Sequence, residues 1–66
     1  MKNRLKIERA IKDVTQQELA NQIGVTRQAI NSIELNKYVP STVLALKLAR
    51  FFEKPVEALF SLEEED

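Results

Sequence analysis

The only glycine of this 66-residue chain, Gly24, separates two short amphipathic segments, and this arrangement constrains the fold more than any other feature. Glycine readily adopts the positive φ that a chain reversal between helices often needs. Four residues earlier stands Ala20, whose small side chain allows a second helix to cross closely over the first. At about 100° of rotation per residue, the apolar residues of each segment fall on one stripe: Leu19, Ala20 and Ile23 before the glycine, and Ala29, Ile30 and Ile33 after it. The pattern predicts a helix-turn-helix.

The rest of the chain also carries helical signals, since no alternating β-branched run is present. We predict a first helix over residues 2–12 and a second over about 16–23, opened by a capping box from Thr15 to Glu18. Thr26 caps a third helix over about 27–35. Asn36 follows this helix and is predicted to adopt the left-handed conformation of a C-terminal cap. Ser41 caps a fourth helix reaching about residue 53, and Pro55 opens a short fifth helix ending near residue 61. The expected fold is all-α, with five helices in one domain over residues 1–62 and an acidic tail over 63–66.

Charge is unevenly distributed along the chain although its net value is zero. All ten lysines and arginines lie in residues 1–54, together with only five acids, whereas residues 55–66 hold five acids and no base. A chain of this kind can meet a polyanion with its basic part while the acidic end is repelled. The same distribution also fits an ordinary domain that ends in a fraying acidic tail, so charge alone leaves both interpretations open.

Several function classes have little support in the residue content. The chain contains no cysteine and no histidine, which removes disulfides, thiolate metal sites and the commonest general base. No carboxylates stand at a spacing that indicates a catalytic dyad or a calcium loop, so we expect no enzyme, no metal and no cofactor. No stretch approaches the roughly 20 apolar residues that cross a bilayer, and no signal-peptide run follows the charged N-terminus. We therefore expect a cytoplasmic protein.

Residues 16–34, which read QQELANQIGVTRQAINSIE, resemble the helix-turn-helix of the Cro and phage-repressor type, also called the xenobiotic-response-element family. The resemblance extends over about residues 3–62 and includes Tyr38-Val39-Pro40-Ser41, Ala45-Leu46-Lys47-Leu48-Ala49 and Val56-Glu57-Ala58-Leu59-Phe60. It implies a prokaryotic or phage transcriptional regulator, with a five-helix phage-repressor-like DNA-binding domain. It also implies that the third helix lies in the major groove. The chain departs from many relatives at Asp13 and Asn36, where they have glycine.

The family's functional positions fall on polar residues of this chain. Those implied to read bases are Arg27, Gln28, Asn31 and Ser32, and they point away from the apolar stripe of the third helix. Arg27 can bind guanine O6 and N7 or can instead hold a phosphate, while glutamine and asparagine can each read adenine N6 and N7. Residues expected to contact the DNA backbone are Gln16, Thr26, Asn36, Lys37, Tyr38 and Ser41. Tyr38 can equally be a packing residue that anchors the loop. Arg9 and Glu34 match positions that form an ion pair between the first and third helices in phage-repressor relatives, which favours a structural role.

The expected partner is double-stranded DNA, in the form of a palindromic operator bound by a homodimer. We assign the pairing surface to the end of the chain: Val56, Leu59, Phe60 and Leu62. The same residues can instead close the core of one chain, so both roles stay open. No membrane and no small-molecule effector are expected. The alternative from another class is a protein-binding adaptor, such as an antitoxin-like subunit, which the near-neutral charge and acidic end favour slightly. An enzyme is a remote third possibility.

Overall fold

A computed structural model describes residues 1–66 and contains five helices and one short antiparallel ladder. The helices are α1 (Leu5–Lys12), α2 (Gln16–Ile23), α3 (Arg27–Glu34), α4 (Thr42–Phe52) and α5 (Val56–Leu59), and the strands are β1 (Lys2–Asn3) and β2 (Phe60–Ser61). The five predicted helices are confirmed. None of them is long and apolar enough to cross a membrane.

The ends of the first and fifth helices differ from the sequence prediction because residues at both ends of the chain pair with each other. Lys2 lies opposite Ser61 and Asn3 opposite Phe60 in the ladder, so neither pair is helical. The Arg4 backbone N–H donates to the Leu59 carbonyl at 2.9 Å, which continues the pairing to the start of α1. Pro55 precedes α5 as its N-cap instead of being its first residue. The prediction of helix from residue 2 and up to residue 61 was therefore wrong at these ends.

Side-chain caps and left-handed residues set the other helix boundaries. Thr15 Oγ1 accepts from the Glu18 backbone N–H, and Glu18 Oε1 accepts from that of Thr15, which completes the predicted capping box. Gly24 has a φ of 83°, the positive value expected at the reversal. Asp13 and Asn36 also have positive φ, at 57° and 61°, which short polar residues tolerate.

The core is formed by twelve apolar residues from every helix and from β2. Leu59 and Phe60 belong to it, with 1% and 7% of their surfaces exposed. An extensive contact with a second chain through these two side chains would require opening the core. Of the residues assigned to pairing, Val56 is half-buried and Leu62 is 79% exposed, so only these two are accessible. The burial of Leu59 and Phe60 therefore corrects the pairing surface assigned from the sequence, of which Val56 and Leu62 are the accessible part.

Candidate nucleic-acid interface

The reversal between α2 and α3 is held by backbone hydrogen bonds at a buried alanine. The carbonyl of Ala20 accepts from the backbone N–H groups of Gly24 and Val25, at 2.8 and 3.0 Å. The side chain of Ala20 is fully buried, which is consistent with the close helix crossing that a small residue permits. Thr26 Oγ1 accepts from the Ala29 N–H at 3.1 Å and begins α3. These contacts fix the angle at which α3 leaves α2.

One face of α3 is anchored in the core and the other is open. Ile30 and Ile33 are almost completely buried. Arg27, Gln28 and Asn31 are exposed, and Ser32 is half-buried. The structure thus brings Arg27, Gln28 and Asn31 together on one accessible helix face, while Ser32 lies at its margin.

Arg27 and Gln28 differ from Asn31 in their internal contacts. The side chains of Arg27 and Gln28 make no hydrogen bond or ion pair within the chain. Asn31 Oδ1, in contrast, accepts from Gln16 Nε2 at 3.1 Å. This bond orients the Asn31 amide so that Oδ1 faces α2. Two N–H donors and one remaining lone pair are left for a ligand.

Gln16 lies at the centre of a polar junction between α2 and α3. Its Nε2 donates to Asn31 Oδ1 and also to Glu34 Oε1, at 3.1 and 3.0 Å. Both amide N–H groups are therefore occupied, and the side-chain atom left free is an acceptor. Since phosphate oxygens are also acceptors, this side-chain conformation cannot hold a phosphate. The backbone N–H groups of Gln16 and Gln17, in the first turn of α2, have no partner within the chain.

Arg9 and Glu34 form a two-point ion pair beneath this junction. Arg9 Nε donates to Glu34 Oε2 at 2.6 Å, and its NH2 donates to Oε1 at 3.0 Å. The Glu34 side chain is 5% exposed and the Arg9 side chain 15%. Arg9 also donates through NH1 to the Val14 carbonyl, which links α1 to the loop before α2. The hydrogen bonds to Glu34 raise the pKa of Arg9 above its ordinary value, and burial opposes them.

The candidate phosphate ligands divide into free side chains and side chains with structural roles. Lys37 and Tyr38 are exposed in the loop after α3. Thr26 and Ser41 accept backbone N–H groups as helix caps, yet each hydroxyl keeps its own hydrogen to donate. Asn36 Oδ1 accepts from Asn3 Nδ2 at 2.8 Å, so its own amide nitrogen is the free group.

Two further residues position the interface and were not anticipated from the sequence. Asn3 donates to the Ile33 carbonyl at 2.9 Å and so ties β1 to the last turn of α3. Glu8, only 4% exposed, accepts from Lys54 and holds α1 against the end of α4. An acid one turn after Arg4 in a charged helix resembles an ordinary solvated residue, and its partner Lys54 is 46 residues away. No local pattern indicates either contact.

Comparison with known proteins gives a consistent result. A family model described as Helix-turn-helix matches residues 5–59. The chain is 47% identical to MJ0272 of Methanocaldococcus jannaschii and 46% identical to YgzD of Bacillus subtilis, over all 66 residues and the full length of both relatives. A relative from Archaeoglobus fulgidus is 44% identical across the whole chain and 93% of its own length. Each of the three is described as an uncharacterized HTH-type transcriptional regulator.

The matched residues include all five helices, α1 through α5. The family match therefore covers the helix crossing at Ala20, the open face of α3 and the polar junction at Gln16. The chain belongs to the Cro-type helix-turn-helix family of DNA-binding transcriptional regulators.

Proposed function

We propose that the protein is a sequence-specific repressor that inserts α3 into the DNA major groove. The observation that carries this proposal is the contrast between the two faces of α3. Ile30 and Ile33 fix the helix in the core, while Arg27 and Gln28 are exposed and bound to nothing within the chain. Polar side chains that extend from a fixed helix and have no partner within the chain are suited to reading base edges.

The three exposed side chains of α3 offer different groups to the bases. Arg27 can donate two parallel hydrogen bonds to guanine O6 and N7, and Gln28 can pair with adenine N6 and N7. Asn31 is less free, since its Oδ1 already accepts from Gln16. We propose that Asn31 acts mainly as a donor toward a base acceptor, and that Ser32 contributes only at the edge of the groove.

Backbone contacts are proposed at the start of α2 and in the loop after α3. At the start of α2 the free groups are the backbone N–H groups of Gln16 and Gln17, which the helix dipole makes favourable for a phosphate. In the loop, Lys37 supplies a charge and Tyr38 a hydroxyl. Thr26, Asn36 and Ser41 add neutral donors at the margins.

The finer points of partner and setting are also proposals. A homodimer would place two copies of α3 in successive major grooves, about 34 Å apart, on a palindromic operator. Occupancy of that operator would block polymerase. We further propose a binding role without catalysis, carried out in the cytoplasm, where a prokaryotic chromosome lies.

The direct test is fluorescence anisotropy of labelled DNA from upstream of the protein's own gene, compared with scrambled DNA over a salt series. Specific binding should exceed non-specific binding by about 10³-fold or more. The logarithm of affinity should fall with log salt at about −0.9 per neutralised phosphate. If that fragment shows no preference, selection from a random DNA library supplies the target.

Matched variants separate base reading from general effects. Arg27→Ala or Gln28→Ala should weaken specific binding by about 1–3 kcal/mol and leave non-specific binding less affected. Gln22→Ala provides the control, since Gln22 is an exposed glutamine on α2. Equal effects of Gln28→Ala and Gln22→Ala would contradict reading by α3. Failure of the library to enrich any sequence, together with a tightly co-purifying polypeptide, would instead support the adaptor function.

A further inference from the structure

An apolar groove of about 230 Å³ lies between α4 and the paired ends of the chain. Its apolar lining, called here the end groove, consists of Met1, Val39, Ala45, Leu46, Val56 and Phe60. Leu46 and Val39 are 56% and 64% exposed, so the groove presents large apolar side chains to solvent. None of the residues proposed to read bases lines it.

Opposite charges flank the end groove. On the α4 side, Leu46 also lines a second depression together with Val43, Lys47 and Arg50, which makes a basic edge. On the other side, the Met1 amino group pairs with Glu63 and Asp66, so the acidic terminus borders the groove there. Lys47, Arg50, Glu64 and Glu65 are exposed and form no ion pair within the chain. The surface therefore runs from basic through apolar to acidic.

A surface with a basic edge, an apolar centre and an acidic edge is complementary to a second copy of the same surface. If a second copy is rotated by 180° about an axis through the groove, its acidic edge faces the basic edge of the first, and the reverse contact forms at the same time. The apolar centres then meet and exclude water. The net charge of zero means that long-range repulsion does not oppose this approach.

We propose that the end groove, with its basic and acidic edges, is the surface through which two copies of this chain associate. The proposal rests on the homodimer of the proposed function. It moves the contact from the buried Leu59 to the accessible side chains of the groove, to which Phe60 adds only the 7% of its surface that is exposed. A specific interface needs about 600–800 Å² from each copy. This is about an eighth to a sixth of the 4660 Å² surface of the chain.

Charge-reversal variants test the proposal by sedimentation equilibrium of the full chain without DNA. The double variant Lys47→Glu with Arg50→Glu should raise the dimer Kd at least tenfold. Each contact between a basic and an acidic edge occurs twice in the symmetric dimer, and in the variant acidic groups face each other at both places. Glu64→Lys with Glu65→Lys should do the same. An equimolar mixture of the two double variants should dimerise more tightly than either alone, since both pairs of edges are complementary again.

Two single variants complete the experiment. Leu46→Glu places a charge at the centre and should raise Kd more than either edge variant, with circular dichroism showing an intact fold. Lys6→Glu is the control, since Lys6 is exposed on α1 and lines neither depression. A monomeric wild-type chain, or a mixture no tighter than its components, would overturn the inference. Because no DNA is present, this failure is independent of DNA reading by α3, which the anisotropy assay measures.

Discussion

Replacing Glu34 with glutamine tests whether the ion pair beneath α3 holds the recognition helix in place. The carboxylate accepts three hydrogen bonds, two from Arg9 and one from Gln16, and is 5% exposed. Glutamine keeps the shape but has one acceptor oxygen and one N–H₂ group. In either orientation of the amide, an N–H donor of glutamine faces an N–H donor of Arg9. Arg9 would also keep its charge without a counter-ion.

The magnitude follows from the burial of the pair. Breaking a buried ion pair by removing one partner costs about 3–5 kcal/mol. The Arg9 side chain is 15% exposed and its guanidinium retains the bond to the Val14 carbonyl, which favours the lower end of that range. We therefore expect a loss of about 3 kcal/mol. A 66-residue domain has a free energy of unfolding of roughly 3–10 kcal/mol, so the variant would lose about a third of its stability or more.

Urea denaturation followed by circular dichroism measures this loss, and thermal unfolding should show Tm lowered by about 12–24 °C. Glu57→Gln is the isosteric control, because Glu57 is exposed on α5 and forms no ion pair. Its effect should stay within about 0.5 kcal/mol. A loss below about 1 kcal/mol in Glu34→Gln would refute the reasoning.

A double variant distinguishes the cost of an orphaned charge from the net value of the pair. Arg9→Met combined with Glu34→Leu removes both charges and fills similar volume, so it should be more stable than Glu34→Gln and within about 1 kcal/mol of the wild type. Gln16 is only half-buried, and water can accept from the N–H that it loses. A double variant as unstable as Glu34→Gln would show that the packing of these side chains matters more than their charges.

Two further predictions concern the turn and the chain ends. Gly24→Ala should cost about 1 kcal/mol in urea denaturation, because a Cβ there meets nothing within 4 Å and only the φ of 83° is unfavourable; a loss above about 3 kcal/mol would indicate a steric contact instead. The second concerns the pair formed by Asp66 and the Met1 amino group. Hydrogen bonds from the Glu63 N–H and from that amino group lower the pKa of the Asp66 carboxyl below 3.8. The bond to Asp66 in turn raises the pKa of the Met1 amino group above 8.0. The amino group's contribution is complete below pH 8.0 and is lost as pH rises through its raised pKa, whereas that of Asp66 is complete above pH 3.8 and is lost as pH falls through its lowered pKa. Hydrogen exchange of the Lys2 and Asn3 amides should therefore be slowest, relative to the intrinsic rate, between these limits. Asp66→Asn should flatten the acid limb and weaken the alkaline limb, where Glu63 still pairs with the amino group.

The helices could be predicted from the sequence because their signals are local. Thr15 and Glu18 specify the start of α2 within four residues, and Gly24 marks its end. The apolar stripes of α2 and α3 likewise repeat within one or two turns. The face of α3 that is open to DNA follows from the same periodicity, since it is the face without the buried Ile30 and Ile33.

Features that depend on distant partners could not be predicted in this way. Two-residue strands are too short to show an alternating pattern, so the ladder between Lys2–Asn3 and Phe60–Ser61 has no sequence signature. The burial of Leu59 and Phe60 depends on that ladder, because pairing draws the end of the chain over the core. Gln16 illustrates the same limit, since its donors are occupied by Asn31 and Glu34, 15 and 18 residues away.

These contacts indicate how the scaffold and the base preference of this protein can vary separately. The end of α3 is tied to α1 through Glu34 and to β1 through the Ile33 carbonyl, and Asn31 is tied to α2. Substitutions of Glu34, Asn31 or Asn3, whose side chains make these contacts, would disturb how the helix is held. Arg27 and Gln28 stand in the first turn of α3 and support nothing within the chain. A change of operator sequence is therefore least costly to stability at Arg27 and Gln28, where the side chain can be replaced without breaking a contact of the folded protein.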